Sequence, residues 1–341
     1  MRIEIPERFP VPFNAAINPF TGRVSQRFWE WLIQEDLIPT ERSKERLRRS
    51  GIELASCYCW PWADSETLLL GMKWMFFFFR FDDQMEEGAA QRDFGRVCRA
   101  VEEITGIMSG NGRGPGDSTF PRSLHRTWTE TKMGQPEEWV NSFGRNFCDL
   151  VRSYTDQSRF NYETPATPMG LAAYEEFREI TFGMHWVYDF MEMVNASSKG
   201  YLPQQVRNGS AMRSLRRAST VQQALLNDVF SAARESHQDR IVNGVVLFQR
   251  EKRCTVGDAV GYVLDRMEQL VDIYSEACHN LLKEARQCGA RAQQAEAAAV
   301  RFIENMDAII GGNHDWHHIV MRYATDDVSS PSGALCYPDD L

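Results

Sequence analysis

The sequence predicts an all-α protein, folded as a single domain over residues 1–341. Three observations carry that expectation. Apolar residues recur at spacings of three and four through much of the chain, the period of a helix face. No series of alternating apolar and polar residues reads as a set of strands, and there are no internal repeats. Glycine and proline gather between the periodic stretches, most densely in SGNGRGPGDST at 109–119, which marks a loop.

Residues 1–24 are proline-rich and irregular, a strap or cap. Helical patterns follow over 25–36, 40–50, 65–86 and 89–108. Beyond the 109–119 loop, whose flanking pieces do not look self-sufficient, helices fit 122–134, 136–157, 169–197 and 214–237. The clearest helix spans 256–287. Thr255 and Asp258 make a capping-box start, and Val260, Val263, Met267, Leu270, Tyr274, Ala277 and Leu281 step along one face. Two more patterns cover 291–310 and 313–324, and residues 325–341 read as a flexible tail.

Composition bounds the partners. The net charge of −9 disfavours nucleic acid, whose phosphates demand a basic surface, and stable docking on anionic membranes. The run WMFFFF falls far short of the about 20 apolar residues a membrane-spanning helix needs, and MRIEIPERFPVPF lacks the pattern of a signal peptide. The eight cysteines show no metal spacing, since Cys57 and Cys59 form CYC, so free thiols in a reducing, cytoplasmic setting are expected.

The stretch FFFFRFDDQMEE at 76–87 joins a greasy segment to four carboxylates. On a helix the run WMFFFF covers every side, so burial all round is expected. Asp82 and Glu86 stand at i and i+4, with Asp83 and Glu87 beside them. Like charges at that spacing repel, and carboxylates near a helix C-terminus oppose its dipole. A divalent cation would resolve both conflicts, and carboxylate oxygens suit Mg²⁺. Taken alone, the cluster reads more simply as a helix end entering water. In LLNDVFSAARES at 225–236, Asn227, Ser231 and Glu235 fall at i, i+4 and i+8, each step returning to within about 40° of one face. They form a row of three hard oxygen donors bordered by Leu225, Leu226, Val229 and Phe230. In WHHIVMRYATDD at 316–327, Arg322 offers a planar fork for phosphate oxygens and Tyr323 a hydroxyl donor.

The three motifs, in this order, resemble those of the class I terpene synthases, over about residues 60–324. DDQME (82–86) is similar to that family's aspartate-rich motif, with Glu86 at its last position. NDVFSAARE (227–235) matches the NDxxSxx(K/R)E metal motif at every defined position, with Arg234 at the basic one. GNHDWHHIVMRY (312–323) resembles the closing segment, with Trp316 before the Arg-Tyr pair. NGVVLFQREKRCTVGDAV (243–260) is like the stretch after the second metal motif. YEEFREITFG (174–183) resembles the helix bearing a diphosphate-sensing arginine, here Arg178, followed by a break with Thr181 as linker, Phe182 supplying a carbonyl and Gly183 permitting the turn.

The resemblance implies an α-helical bundle around an apolar active-site cavity, and ionisation of a prenyl diphosphate with three Mg²⁺ ions. Asp82, with Glu86 assisting, would hold two ions; Asn227, Ser231 and Glu235 would hold the third. Arg178, Arg234, Arg322 and Tyr323 would donate to the diphosphate. Asp83, in the substrate region, would pair with a basic side chain rather than metal. Phe78 or Phe79, with Trp316, Phe182 and Trp186, are candidates to line the hydrocarbon pocket, where plain core packing is the competing role. HDWHH (314–318) suggests a metal phosphohydrolase, but partner ligands are not evident, and histidines flanking the family's tryptophan at a helix start are the simpler account.

The implied activity is cyclisation of farnesyl diphosphate to a sesquiterpene with release of diphosphate. Geranyl and geranylgeranyl diphosphates are the alternative substrates. A chain-elongating prenyltransferase is disfavoured, because the Asn-Ser-Glu pattern replaces a second aspartate-rich motif. A non-catalytic isoprenoid-diphosphate-binding protein is the reading from another class. A homodimer is the candidate assembly.

Overall fold

The computed structural model describes residues 4–87, 93–110, 116–162, 169–236 and 243–320. Among them every regular element is helical, as the sequence predicts. No described helix is long and apolar enough to cross a membrane. The seven described cysteines are free thiols. The chain forms two compact units.

The first unit is built mainly from Ile17–Cys57 and Trp62–Ala166. Its helices are α1 (Thr21–Gln34), α2 (Glu41–Ser50), α3 (Ile52–Cys59, entered as far as Cys57), α4 (Ser65–Glu87), α5 (Phe94–Ser109), α6 (Thr119–Lys132) and α7 (Glu137–Tyr162). Helix α2 starts with a reciprocal Thr40–Ser43 capping box and stops at Gly51, whose φ of 62° a side chain would resist. Asp93 caps α5 through the Arg96 amide. Helix α3 was not expected from the sequence, because IELASCYC is too short and too evenly apolar to show a stripe. Helix α1 begins at Thr21, inside the stretch expected to be irregular.

An aromatic core fixes α4. Trp74 donates its indole N–H to Thr131 Oγ1 at 2.8 Å and meets Trp128, Phe143 and Phe147 edge to face. Phe77 packs on Phe120 at 5.1 Å. Arg80 is fully buried within this aromatic group, its guanidinium 5.1 Å from the Phe120 ring centre, and it donates to the Leu37 carbonyl. The expected all-round burial of WMFFFF holds for Trp74, Met75, Phe76 and Phe77. Phe78 and Phe79 are only half-buried, ring against ring at 5.4 Å.

The second unit comprises Met1–Ala16, Tyr58–Pro61 and Thr167–Ile319. It contains α8 (Leu171–Thr181), α9 (Met184–Lys199), α10 (Gln204–Arg207), α11 (Ser210–Ser236), α12 (Gly244–Lys252), α13 (Val256–Arg286) and α14 (Ala292–Ile319). The capping box of Thr255 and Asp258 is present, and all seven apolar residues expected on the face of α13 are buried. The nine-residue α12 lies in a stretch too short for periodicity to reveal.

The patterns at 291–310 and 313–324 were expected as separate helices, but α14 runs unbroken through Gly311 and Gly312. These glycines serve close packing rather than a break. A Cβ on Gly311 would stand 2.7 Å from both the Ala15 amide nitrogen and the Phe13 carbonyl oxygen. One on Gly312 would stand 2.7 Å from Tyr58 Cβ. The irregular strap therefore lies directly on the helix backbone. Its Phe9 stacks on Phe230 of α11 at 5.6 Å and meets His314 and His318 of α14 edge-on.

Candidate active site

The aspartates close α4 in the first unit. Asp82 Oδ1 accepts a hydrogen bond from the Tyr154 hydroxyl of α7 at 2.6 Å, and the Phe81 and Tyr154 rings meet edge to face. Asp83 is 2% exposed and its two oxygens accept from Arg46 of α2, at 2.9 and 3.3 Å. The crowding of adjacent carboxylates is thus relieved by one neutral and one cationic donor. Asp83 has the basic partner expected for it, and its engagement by Arg46 sets it apart from Asp82. Neither Tyr154 nor Arg46 was legible as a partner, since each lies far from the motif in sequence. The side chains of Glu86 and Glu87 lie outside the described residues.

The second set stands on α11 in the second unit. Ser231 is buried, while Asn227 and Glu235 are half-buried. Asn243, fully buried at the start of α12, joins them. Its Oδ1 accepts from the Val245 and Val246 amides and so caps α12. Its Nδ2 lies 3.2 Å from Ser231 Oγ, 2.9 Å from Glu235 Oε2 and 2.9 Å from the Asp228 carbonyl oxygen. One amide thus fixes two of the three expected ligands against the helix that follows them. No sequence pattern marked it beyond its place in the stretch after the motif.

Asp228, the second residue of the motif, is buried. Arg178 Nη2 of α8 donates to its Oδ1 at 3.1 Å, and the Gly244 amide to its Oδ2 at 2.9 Å. The Tyr174 hydroxyl also donates to Oδ2. Burial pushes the Asp228 carboxyl up to about 6, against the Arg178 charge that favours its ionised form. Burial, and then the Asp228 charge, holds the Tyr174 phenol protonated and able to donate. Gly244 has no room for a side chain, since a Cβ would meet Asp228 Oδ2 at 2.8 Å. Arg178 Nη2 also reaches Asn227 Oδ1 at 3.3 Å, so the arginine and the first ligand of the row share a contact.

The break after α8 falls where the resemblance put it. Helix α8 ends at Thr181, Phe182 is its C-cap, and Gly183 takes a φ of 77° before α9 starts. Phe182 lies under the Arg178 guanidinium at 5.4 Å. Thr181 Oγ1 is buried with no hydrogen-bond partner among the described residues. Trp186 has no exposed surface and lies against Trp60 at 6.2 Å. Trp316 is buried near the end of α14. The HDWHH histidines stand in the last turns of that helix, not at a helix start as expected. Arg322 and Tyr323, and the Arg234 side chain, lie outside the described residues.

Among the described residues, no three His, Cys, Asp or Glu side chains gather around a metal-sized site. The row on α11 carries a single carboxylate, Glu235, beside an amide and a hydroxyl. Its amide, hydroxyl and carboxylate oxygens on one helix face, two of them tied to one buried donor, suit a hard divalent cation.

The chain as a whole is similar to known proteins. The family model described as terpene synthase family 2, C-terminal metal binding, matches residues 73–273. The (2Z,6E)-hedycaryol synthase of Kitasatospora setae is 34% identical over 339 residues, covering 98% of this chain and 97% of that protein. A (−)-beta-caryophyllene synthase of Saccharothrix espanaensis, described as (2E,6E)-farnesyl diphosphate cyclizing, is 26% identical over 98% of this chain and 93% of its own length. A solved structure of hedycaryol synthase in complex with HEPES superposes with a TM-score of 0.82 at 34% identity, covering 94% of this chain and all of that one. The expected class I terpenoid synthase fold is therefore the fold of this protein. With a metal-binding model spanning both aspartate-rich and Asn-Ser-Glu motifs, and a full-length relative at 34% identity, the chain belongs to the terpene synthase family.

Proposed function

We propose that this terpene synthase ionises farnesyl diphosphate and cyclises the resulting cation to a sesquiterpene, releasing diphosphate in a Mg²⁺-dependent reaction. The observation that carries the reading is the oxygen row Asn227–Ser231–Glu235, fixed by Asn243 and touching Arg178 through Asn227. The farnesyl chain is supported by the substrate named for the caryophyllene synthase relative. The family model runs through both compact units, which supports one catalytic domain over residues 1–341.

Breaking the allylic C–O bond sends its electron pair to diphosphate and leaves a carbocation. Preorganised cationic donors stabilise that developing negative charge. Three Mg²⁺ ions would supply Lewis-acid stabilisation of the leaving diphosphate. Asp82, assisted by Glu86, would hold two of them, and Asn227, Ser231 and Glu235 the third. Arg178, Arg234, Arg322 and Tyr323 donate to diphosphate oxygens. Thr181 and Phe182 stand at the break that follows Arg178, beside the arginine that would sense the diphosphate. The carbocation must be kept from water. Phe78, Phe79 and Trp316 are the aromatic groups proposed to face the hydrocarbon chain.

Incubation with geranyl, farnesyl and geranylgeranyl diphosphates, each with Mg²⁺ or with excess chelator, tests the proposal. Gas chromatography and released diphosphate are the readouts. Cyclic fifteen-carbon products from farnesyl diphosphate, absent under chelation, are expected. Failure to consume farnesyl diphosphate in Mg²⁺ would overturn the reading.

A further inference from the structure

Of the HDWHH histidines, His314 and His318 meet Phe9 of the strap, and His317 packs against Trp316 and Phe230. It is 3% exposed, in the last turns of α14, with its ring between Trp316 and Phe230, at 4.8 and 5.2 Å. Its Nδ1 lies 2.7 Å from the Asn313 carbonyl oxygen, one turn back. A carbonyl only accepts, so Nδ1 carries the proton and donates. In the neutral ring Nε2 is then a bare acceptor. It lies 3.1 Å from the Asn227 amide nitrogen, which donates to it.

The other end of the same amide is read independently. Asn227 Oδ1 lies 3.3 Å from Arg178 Nη2, and a guanidinium can only donate. The two neighbours therefore demand the same orientation. Turning the amide over would set its oxygen against the Nε2 lone pair and its NH₂ against the guanidinium. Two favourable contacts would become two repulsive ones.

An asparagine can ligate a hard cation only through its oxygen. We infer that His317 is a positioning residue for the terpene synthase reaction: its Nε2 acceptor locks the Asn227 side chain so that Oδ1, not Nδ2, is available as a metal ligand. The Asn313 carbonyl fixes the tautomer, the tautomer fixes the amide, and the amide presents the oxygen. The inference rests on the proposed role of Asn227. It goes beyond that role by assigning a task to a residue on another helix that is not itself a ligand.

The test separates the two ideas. Two-bond ¹H–¹⁵N correlation on protein labelled in histidine, with the His317 signal assigned by its loss in His317→Gln, reads the tautomer in the unaltered protein. The Nδ1–H form is expected; an Nε2–H form overturns the inference whatever the enzyme's activity. Calorimetric titration of Mg²⁺ in the presence of inorganic diphosphate then compares variants. His317→Phe keeps a ring between Trp316 and Phe230 but removes the acceptor, and should weaken Mg²⁺ binding about tenfold, the low end of outer-shell effects. His317→Gln offers an acceptor oxygen and should recover most of that loss. In an Asn227→Asp background, which has no wrong end to present, His317→Phe should change Mg²⁺ binding less than about twofold. Full affinity in His317→Phe, a Gln variant as weak as the Phe one, or an equal loss in both backgrounds would each sink the proposal. Farnesyl diphosphate turnover by the parent protein is scored separately, so a failed catalytic reading and a failed positioning role give different results.

Discussion

The Tyr154 hydroxyl donates to Asp82 Oδ1 at 2.6 Å, tying the first aspartate of DDQME to a helix that begins 55 residues later in the chain. A hydrogen bond to a charged acceptor contributes about 1.5–3 kcal/mol, enough to select one carboxylate rotamer. Tyr154→Phe keeps the ring contact with Phe81 and removes only the donor. The expected outcome is a several-fold rise in the Mg²⁺ concentration giving half-maximal diphosphate release, with a smaller change at saturating Mg²⁺. An unchanged Mg²⁺ dependence would show that Asp82 needs no such guide.

Asn227→Ala and Glu235→Ala should each abolish turnover, with residual activity below about one-hundredth, while the thermal midpoint moves by only a few degrees. Both side chains are half-buried, so truncation leaves little cavity, and the cost falls on the oxygen row itself. Diphosphate release and circular-dichroism melting measure the two effects. Near-normal turnover with the usual Mg²⁺ requirement in either variant contradicts the assignment.

Asn243→Asp is a sharper probe, because it separates two tasks of one side chain. The new carboxylate can still accept from the Val245 and Val246 amides and cap α12. It can no longer donate to Ser231 and Glu235, and it sets a negative charge where an amide stood 2.9 Å from Glu235 Oε2. Activity should fall at least about tenfold, as for other groups that orient metal ligands. Unaltered kinetics in a folded Asn243→Asp protein would show that the amide only caps the helix.

Phe78→Leu and Phe79→Leu bear on product choice. They are the two rings of the WMFFFF run that keep exposed surface, one turn before the aspartates. Losing a cation–π contact of about 1–2 kcal/mol changes competing branch rates roughly 5–30-fold. At least one variant should shift the product profile by gas chromatography while keeping much of the diphosphate release. A parent profile from both would place neither ring against the reacting chain.

What could be read from the chain depended on the range of the signal. The face of α13 and its capping box are local, repeated every turn, and the sequence exposed both. The Asn227–Ser231–Glu235 row was legible for the same reason, because one helix carries it. The tethers were hidden. Arg46 reaches Asp83, Tyr154 reaches Asp82 and His317 reaches Asn227 across helix pairs whose packing no periodicity encodes. Gly311 and Gly312 misled in the opposite sense, since a pair that usually interrupts a helix here admits another backbone at Gly311 and the Tyr58 side chain at Gly312. Arg80 defied composition altogether, as a charged residue wholly inside an aromatic core.

The seating of Phe13 and Ala15 on Gly311 has a consequence for how the protein is made. A ribosome delivers the strap long before its seat. Until α14 has emerged, Phe13 and Ala15 lack their seat on Gly311, and the Phe9 ring has Phe230 but not the His314 and His318 faces that it meets in the finished molecule. Domains usually consolidate from the N-terminus as they are synthesised. Here the strap docks only once α14 is made, and contacts so distant in sequence slow that step. A nascent chain stalled before Gly311 should therefore carry an undocked strap that proteases can reach, and completing α14 should protect it.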